Sequence, residues 1–412
     1  MGNTTLTIDM ITKEALRLAH EKATFIGTIN RQFDDSFGAS SGKIGDTLRI
    51  RIPSQYTRRS GSRVMDVQDS IQVSTSLVVA TQDGVDMRFN SREMALDLDS
   101  FSQLHLEPAM ASLISNIDSD VLQGCTRATY NWATNLSPLT SSFMTTMTAL
   151  SSLTAAGNAR TRLNQNLAPK GDRRIQVDSG QMASIVTGVA AYFNPSNAIS
   201  DQYLEGRVAR TSMADYYENE RVWSLTNNGD VSCELDTYTI VNGDTDLTVS
   251  AWANPSTGMV FTIAGMFDCH RETKAAYPYL KQHVVLAGST STSISTYPIY
   301  ITGPRKNVAT ATGADITPAN FTSAVLTFVG AATTTYMQPL MYHKDAFTFA
   351  TGELPLMADA AKCVRRTVDG ISLRVWQASD IRNDELLTRI DILSGYAALR
   401  PRLAVRMIGA AT

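Results

Sequence analysis

Charged side chains are scarce in this 412-residue chain: Asp, Glu, Lys and Arg make up 18%, against about a quarter in an average globular protein. Ser, Thr, Asn and Gln fill the deficit, giving a neutral polar surface suited to extensive protein–protein contact, although secreted β-proteins share it. A formal charge of −3 supplies no bulk attraction for nucleic acid or an anionic membrane, so contact with DNA has to be weak or confined to a patch. Cysteine is rare too. The four present (Cys125, Cys233, Cys269 and Cys363) have no paired spacing, which points to reduced, buried thiols in a cytosolic protein and not to a disulfide framework. No apolar run approaches the ~18–20 residues of a membrane span. The start, MGNTTLTIDMITKEAL, lacks the basic and apolar regions of a signal peptide, and Leu6 stands where a myristoylation motif needs Ser or Thr. A soluble protein made inside the cell is the expectation. Its length and 43% hydrophobic content allow two or three domains with a sizeable core.

Signatures of catalysis are missing as well. Gly38-Ala39-Ser40-Ser41-Gly42-Lys43-Ile44 is one residue short of a phosphate loop between its glycines. Ile44 also replaces the Ser or Thr that would hold Mg²⁺, which leaves a flexible joint. The histidines (His20, His105, His270, His283, His343) are dispersed, with none at the i, i+4 spacing of a helical metal site. Cys269-His270 is adjacent where chelation needs spacing. No Gly-x-Ser-x-Gly elbow is present. The carboxylate pairs Asp97/Asp99 and Asp244/Asp246 lack nameable partners for glycosidase or calcium roles and read as solvated turns. No catalytic residue, cofactor-binding residue or metal ligand is therefore assigned.

What is present is a change of texture along the chain. Ile8, Ile11, Ala15 and Leu18 recur at helical spacing, forming a short terminal helix that has to dock on something. Leu48, Ile50 and Ile52 alternate with Arg49 and Arg51 until Pro53, and Ile71 to Val79 keep a period of two. Residues 47–81 therefore make an extended β-hairpin, marginal alone in water. The clearest helix runs from about Glu107 to Gly124, with Pro108 near its start. Met110, Leu113, Ile114, Ile117 and Val121 share one face, and Gly124 is the expected stop. A strand at 174–177 precedes a helix from about Asp178 that carries Met182, Ile185, Val186, Val189 and Phe193 on one stripe. Between 222 and 341, short strand runs at 247–252, 259–264, 283–287, 298–301 and 325–329 are separated by turns such as Asn227-Asn228-Gly229-Asp230 and Asn242-Gly243-Asp244. That texture suggests a small barrel or sandwich inserted into a larger α+β domain. Within it, Gly258 to Val285 reads as a β-run, a helix-like or loop excursion and a second β-run. Strand candidates at 371–376, 388–393 and 403–408 follow.

One charged constellation rises above background: Arg49, Arg51, Arg58, Arg59 and Arg63, with no acidic residue between Asp46 and Asp66. It reads as a solvated hairpin face, as a nucleic-acid patch whose aromatic component is only Tyr56, or as an arm gripping acidic groups on a neighbouring copy. Glu93, Asp97 and Asp99, or Asp215, Glu218 and Glu220, are the candidate acidic partners. The third reading is favoured because the hairpin needs a docking surface in any case.

Two stretches, GMVFTIAGMFDCHRETKAAYPYLKQHVV (Gly258 to Val285) and RIDILSGYAALRPRLAVRM (Arg389 to Met407), resemble the coat proteins of short-tailed double-stranded DNA phages of the Salmonella type, which carry an inserted β domain. The order of elements resembles the Hong Kong 97 capsid fold. The resemblance implies an α+β chain divided into an N-terminal arm (1–46), an extended hairpin loop (47–81) and a peripheral domain with a spine helix (82–150). A first axial part (151–221), the inserted β domain (222–341) and an axial and peripheral return (342–412) complete it. It further implies a non-enzymatic, cofactor-free subunit that forms pentamers and hexamers and closes into an icosahedral shell. A scaffolding protein during assembly, a portal protein at one vertex and non-specifically bound DNA inside are the implied partners, with no membrane. The implied location is the virion, after synthesis in the host bacterial cytoplasm. A cellular nanocompartment shell of the same fold is the runner-up, and a β-rich binding protein or hydrolase with an accessory domain is the competing class.

Overall fold

Ile11, Ala15 and Leu18 are buried on a helix, Ile8–Lys22, whose stripe is widened by the buried Leu16 and Ala19. This is seen in a computed structural model that describes residues 8–31, 47–62, 65, 67–68, 72–90, 105–134, 153–189, 214–236, 240–250, 252, 255–317, 321, 323–357, 362–368, 370–380, 382–383 and 385–408. The described elements are mixed α+β, rich in strands and poor in helices. They form two compact units, one of residues 1–50, 74–121 and 347–399, the other of 51–73, 122–346 and 400–412. The joint at 38–44 lies outside the described residues.

The first unit is organised by the strand Glu385–Ala398, whose antiparallel neighbours are Thr81–Asn90 on one side and, in succession along its length, Ile371–Asp380 and Phe347–Gly352 on the other. Lys362–Val368 closes the sheet beyond Ile371–Asp380, and Ile8–Lys22 packs on those two strands. Opposed residues pair by charge. Arg374 faces Asp391 in the register and binds it at 2.6 Å, buried, while Arg389 faces Asp86 and grips both its oxygens at 2.6 and 2.7 Å. Gly84 answers the same geometry. A Cβ there would lie 2.5 Å from Asp391 Oδ1, so only glycine fits beside the buried pair.

The helix Glu107–Ala128 buries Met110, Leu113, Ile114, Ile117 and Val121, as the periodicity predicts. It does not stop at Gly124. Cys125 is buried, and the hydroxyls of Thr126 and Thr129 donate to carbonyls four residues back at 2.7 and 2.9 Å, so packing and local bonding carry the chain past a residue that costs about 1 kcal/mol mid-helix. Sequence periodicity also leaves out Asp118. It is fully buried, and its carboxylate accepts the backbone N–H groups of Phe25 (3.0 Å) and Ile26 (2.8 Å).

In the second unit a mixed sheet runs Trp132–Ala133, Ala404–Met407, Leu340–His343, Arg173–Val177, Asp215–Glu218, with its outermost pairs parallel. Helix Ser179–Val189 follows Arg173–Val177 as expected, with Met182 and Ile185 buried; Phe193 lies outside the described residues. A further helix, Leu153–Gln165, packs on the sheet through the small Ala155, Ala156 and Ala159 together with Leu163. The run from Gly258 to Val285 contains no helix. It is an antiparallel hairpin, Val260–Cys269 with Ala276–Val284, turned tightly at His270, whose Nδ1 accepts the N–H groups of Glu272 and Thr273. Val325–Phe328 and Ser232–Glu234 extend it into a sheet. One apolar cluster, including Trp252, Phe261, Ile263, Leu326 and Phe328, draws every one of its buried members from between Trp223 and Phe328.

Candidate assembly surface

The strand Thr47–Ile52 pairs with Val73–Val78, giving the expected hairpin. Alternation does to it what the sequence suggests: Leu48, Ile50 and Ile52 are half-buried, and Arg49 and Arg51 are exposed. Beyond Pro53 the tip is irregular, held by a reciprocal amide bridge in which Gln68 Oε1 accepts from Thr57 N and Gln68 Nε2 donates to Thr57 O, both at 2.8 Å. Arg58 and Arg59 are exposed there. So are three large apolar side chains that periodicity did not single out, Tyr56 (58% exposed), Met65 (85%) and Val67 (76%). A tip with guanidinium groups beside bare hydrophobic surface is better fitted to a protein partner than to solvent. Arg63 lies outside the described residues.

The acidic candidates divide. Glu93, Asp97 and Asp99 also lie outside the described residues. Asp215 and Glu218 sit on one strand, but their positions differ by an odd number, so alternation sends them to opposite faces. Glu220 is exposed and engaged, its Oε1 accepting the N–H of Ser179 at the start of helix Ser179–Val189 (3.1 Å), where a negative charge is favoured. In the first unit an open groove lined by Met87, Trp376, Ala378 and Leu387 is rimmed by the Asp86–Arg389 pair. Arg389 holds the Asp86 carboxyl below its usual range.

Buried ionisable groups elsewhere are tied into structure. Lys281 binds Asp268 at 2.8 Å; burial works against its charge, yet the carboxylate outweighs that and raises its pKa. His283, stacked on Phe261, is pushed down to about 3 by burial and then by Lys281, so its ring is neutral. Burial lifts the Cys125 thiol far above its usual range and pushes Cys233 up to about 12, which leaves both as thiols and poor nucleophiles. Arg406 is wholly buried within strand Ala404–Met407. Its guanidinium donates to the carbonyls of Thr129 and Gly258, the latter at 2.7 Å, and burial lowers its pKa to about 9. Gly258 accepts this bond from a φ of +98°, where a Cβ would strike Trp223 at 2.8 Å. Among the described residues no three His, Cys, Asp or Glu side chains gather as a metal site, and no helix is long and apolar enough to cross a membrane.

The ending and the 258–285 hairpin meet at Arg406, and they fall within the segment that is recognised in other proteins. Residues 179–409 match the family described as P22 coat protein, gene protein 5. The match spans more than half of the chain, which therefore belongs to that family of phage coat proteins. A search among curated protein sequences gives no match. Similar solved structures include a chain from Mycobacterium phage Che8 (10% identity, 93% of this chain and 90% of that one, TM-score 0.48). Others are the capsid of Ralstonia phage GP4 (8%, 95% and 92%, 0.45) and the capsid of the cyanophage P-SCSP1u (12%, 94% and 93%, 0.44). These scores lie below those that establish a shared fold, and the family assignment rests on the sequence match.

Proposed function

We propose that this chain is the major capsid protein of a double-stranded DNA phage, a subunit with a structural and non-enzymatic role. Copies associate as pentamers and hexamers of a Hong Kong 97-type subunit and close into the icosahedral shell of the virion. The family match over residues 179–409 carries the reading. The exposed arginines and bare apolar side chains of the hairpin tip support it, because they suit a contact made with another copy. A scaffolding protein during assembly, a portal protein at one vertex, weakly held DNA inside and synthesis in the host cytoplasm belong to the same proposal.

Residues 222–341 act within it as an inserted β domain, a proposal supported by the apolar cluster drawn wholly from between Trp223 and Phe328. Sedimentation velocity on the purified protein over a wide concentration range, with and without the scaffolding partner, tests the proposed role. Rings and shell-sized particles are expected. A strict monomer under every condition, or robust turnover on esters, glycosides or nucleotides, overturns it.

A further inference from the structure

The chain has two Asn-Gly steps, Asn228-Gly229 and Asn242-Gly243, and their side-chain amides take different partners. At the second, Asn242 Oδ1 accepts the backbone N–H groups of Ile301 (2.9 Å) and Thr302 (3.2 Å). The Gly243 N–H donates to the Ile299 carbonyl at 2.7 Å, and Gly243 sits at φ +92°, where a Cβ would touch the Tyr300 ring. Both the side-chain amide and the following peptide nitrogen are immobilised.

At the first step the Gly229 N–H donates to the Oδ1 of Asn228 itself, at 2.8 Å. The side chain is folded back over the peptide nitrogen that follows it, and its Cγ is one C=O bond, ~1.2 Å, from that oxygen. Gly229 is exposed, and a Cβ built on it meets nothing within 4 Å. The flank is fixed while the tip is exposed: Asn227 is buried and its Nδ2 donates to the carbonyls of Val329 (2.8 Å) and Ala331 (3.1 Å). An electrophilic carbon held beside the nitrogen of an exposed glycine resembles a conformer poised for attack.

We propose that Asn228 is a site of non-enzymatic modification, converting through a succinimide to aspartate and isoaspartate, and that its hydrogen bonds protect Asn242 from the same fate. Solvent base takes the Gly229 amide proton. The nitrogen lone pair forms a bond to Asn228 Cγ, the Cγ–Nδ2 bond breaks, and the amide nitrogen leaves as ammonia with a proton from water. Water then adds to one of the two ring carbonyls. Opening at the side-chain carbonyl gives aspartate in a normal main chain; opening at the main-chain carbonyl gives the β-linked isomer. Either product places a new carboxylate two residues from Asp230 in an exposed turn.

The test is peptide mapping by mass spectrometry of the intact, full-length protein after timed incubation in mildly alkaline buffer. Aspartate plus isoaspartate at 228 should accumulate about tenfold faster than at 242. In the denatured chain the two steps should convert at similar rates, because each is an Asn-Gly-Asp sequence. Gly229→Ala, which the open surroundings accommodate, should slow conversion at 228 and leave 242 unchanged. Equal rates at the two sites in the folded protein, or a faster rate at 242, overturn the proposal. An undiminished rate at 228 in the Gly229→Ala protein overturns the succinimide route.

Discussion

Replacing Asp118 by Ala removes the acceptor for two backbone N–H groups, those of Phe25 and Ile26, in the interior of the first unit. Each buried donor left unpaired costs about 1–3 kcal/mol, so the two together cost about 2–6 kcal/mol. The higher helix propensity of Ala offsets about 0.5 kcal/mol of that. A net loss of about 2–5 kcal/mol is large beside the ~5–15 kcal/mol that holds a typical domain together. In a unit of about 150 residues each kcal/mol moves the melting temperature by about 2–4 °C, which gives a fall of about 4–20 °C. Asp118→Asn keeps one carbonyl acceptor and should lie between the two. Calorimetry gives the transition, and hydrogen exchange reports the site, since peptides containing Phe25 and Ile26 should lose protection first. If the Ala and Asn proteins both melt with the parent, Asp118 does not anchor the segment after the first helix.

The buried ring of His283 makes the second unit sensitive to acid. Below ~6.5 the unfolded chain binds a proton there, while the folded ring stays neutral to about 3. Stability therefore falls as pH drops through that window, by about 2 kcal/mol between neutrality and pH 5. His283→Phe, which preserves the stack on Phe261, should flatten that dependence, and an unchanged pH profile would assign it to another group. Ile117→Asp should bury an unpaired carboxylate and cost several kcal/mol, whereas Ser115→Asp on the half-buried side should cost far less; equal losses in urea titrations would contradict the packing described. Residues 222–341 expressed alone should show a cooperative thermal transition and dispersed amide signals, and a random-coil spectrum would show that the segment is not a domain. Arg58→Glu combined with Arg59→Glu should leave subunit melting nearly unchanged while lowering shell yield by sedimentation, and raised salt should weaken parent assembly in the same direction. Normal yield from the double variant would reduce the tip to a solvated surface.

Periodicity made part of this molecule legible. The stripes of Ile8–Lys22 and Glu107–Ala128 and the alternation of Thr47–Ile52 are one-dimensional signals; the two helices are buried on the faces they indicate, and the strand is half-buried on its own. What stayed hidden depends on partners distant in sequence. Asp118 looks like one more polar residue on a helix, because its backbone partners lie over ninety residues away. Leu153–Gln165 escapes notice because its buried face is mostly alanine, with Arg162 buried beside it. Thr81–Asn90 looks too polar for a strand until Asp86 and Gly84 find Arg389 and Asp391 across the sheet. Alternation alone places Arg49 and Arg51 on the exposed side of their strand, whereas Arg58 and Arg59 lie in the irregular tip. It gives no common face to the acidic candidates Asp215 and Glu218, which the strand sends to opposite sides.

Electron microscopy of the purified protein, alone and co-expressed with any neighbouring scaffolding gene product, tests the central claim most directly. Closed particles of uniform size, with fivefold and sixfold clusters of one subunit in the averaged density, are the expected result. Fields that hold only dispersed single subunits at high concentration, with the scaffolding product present, would contradict the capsid assignment.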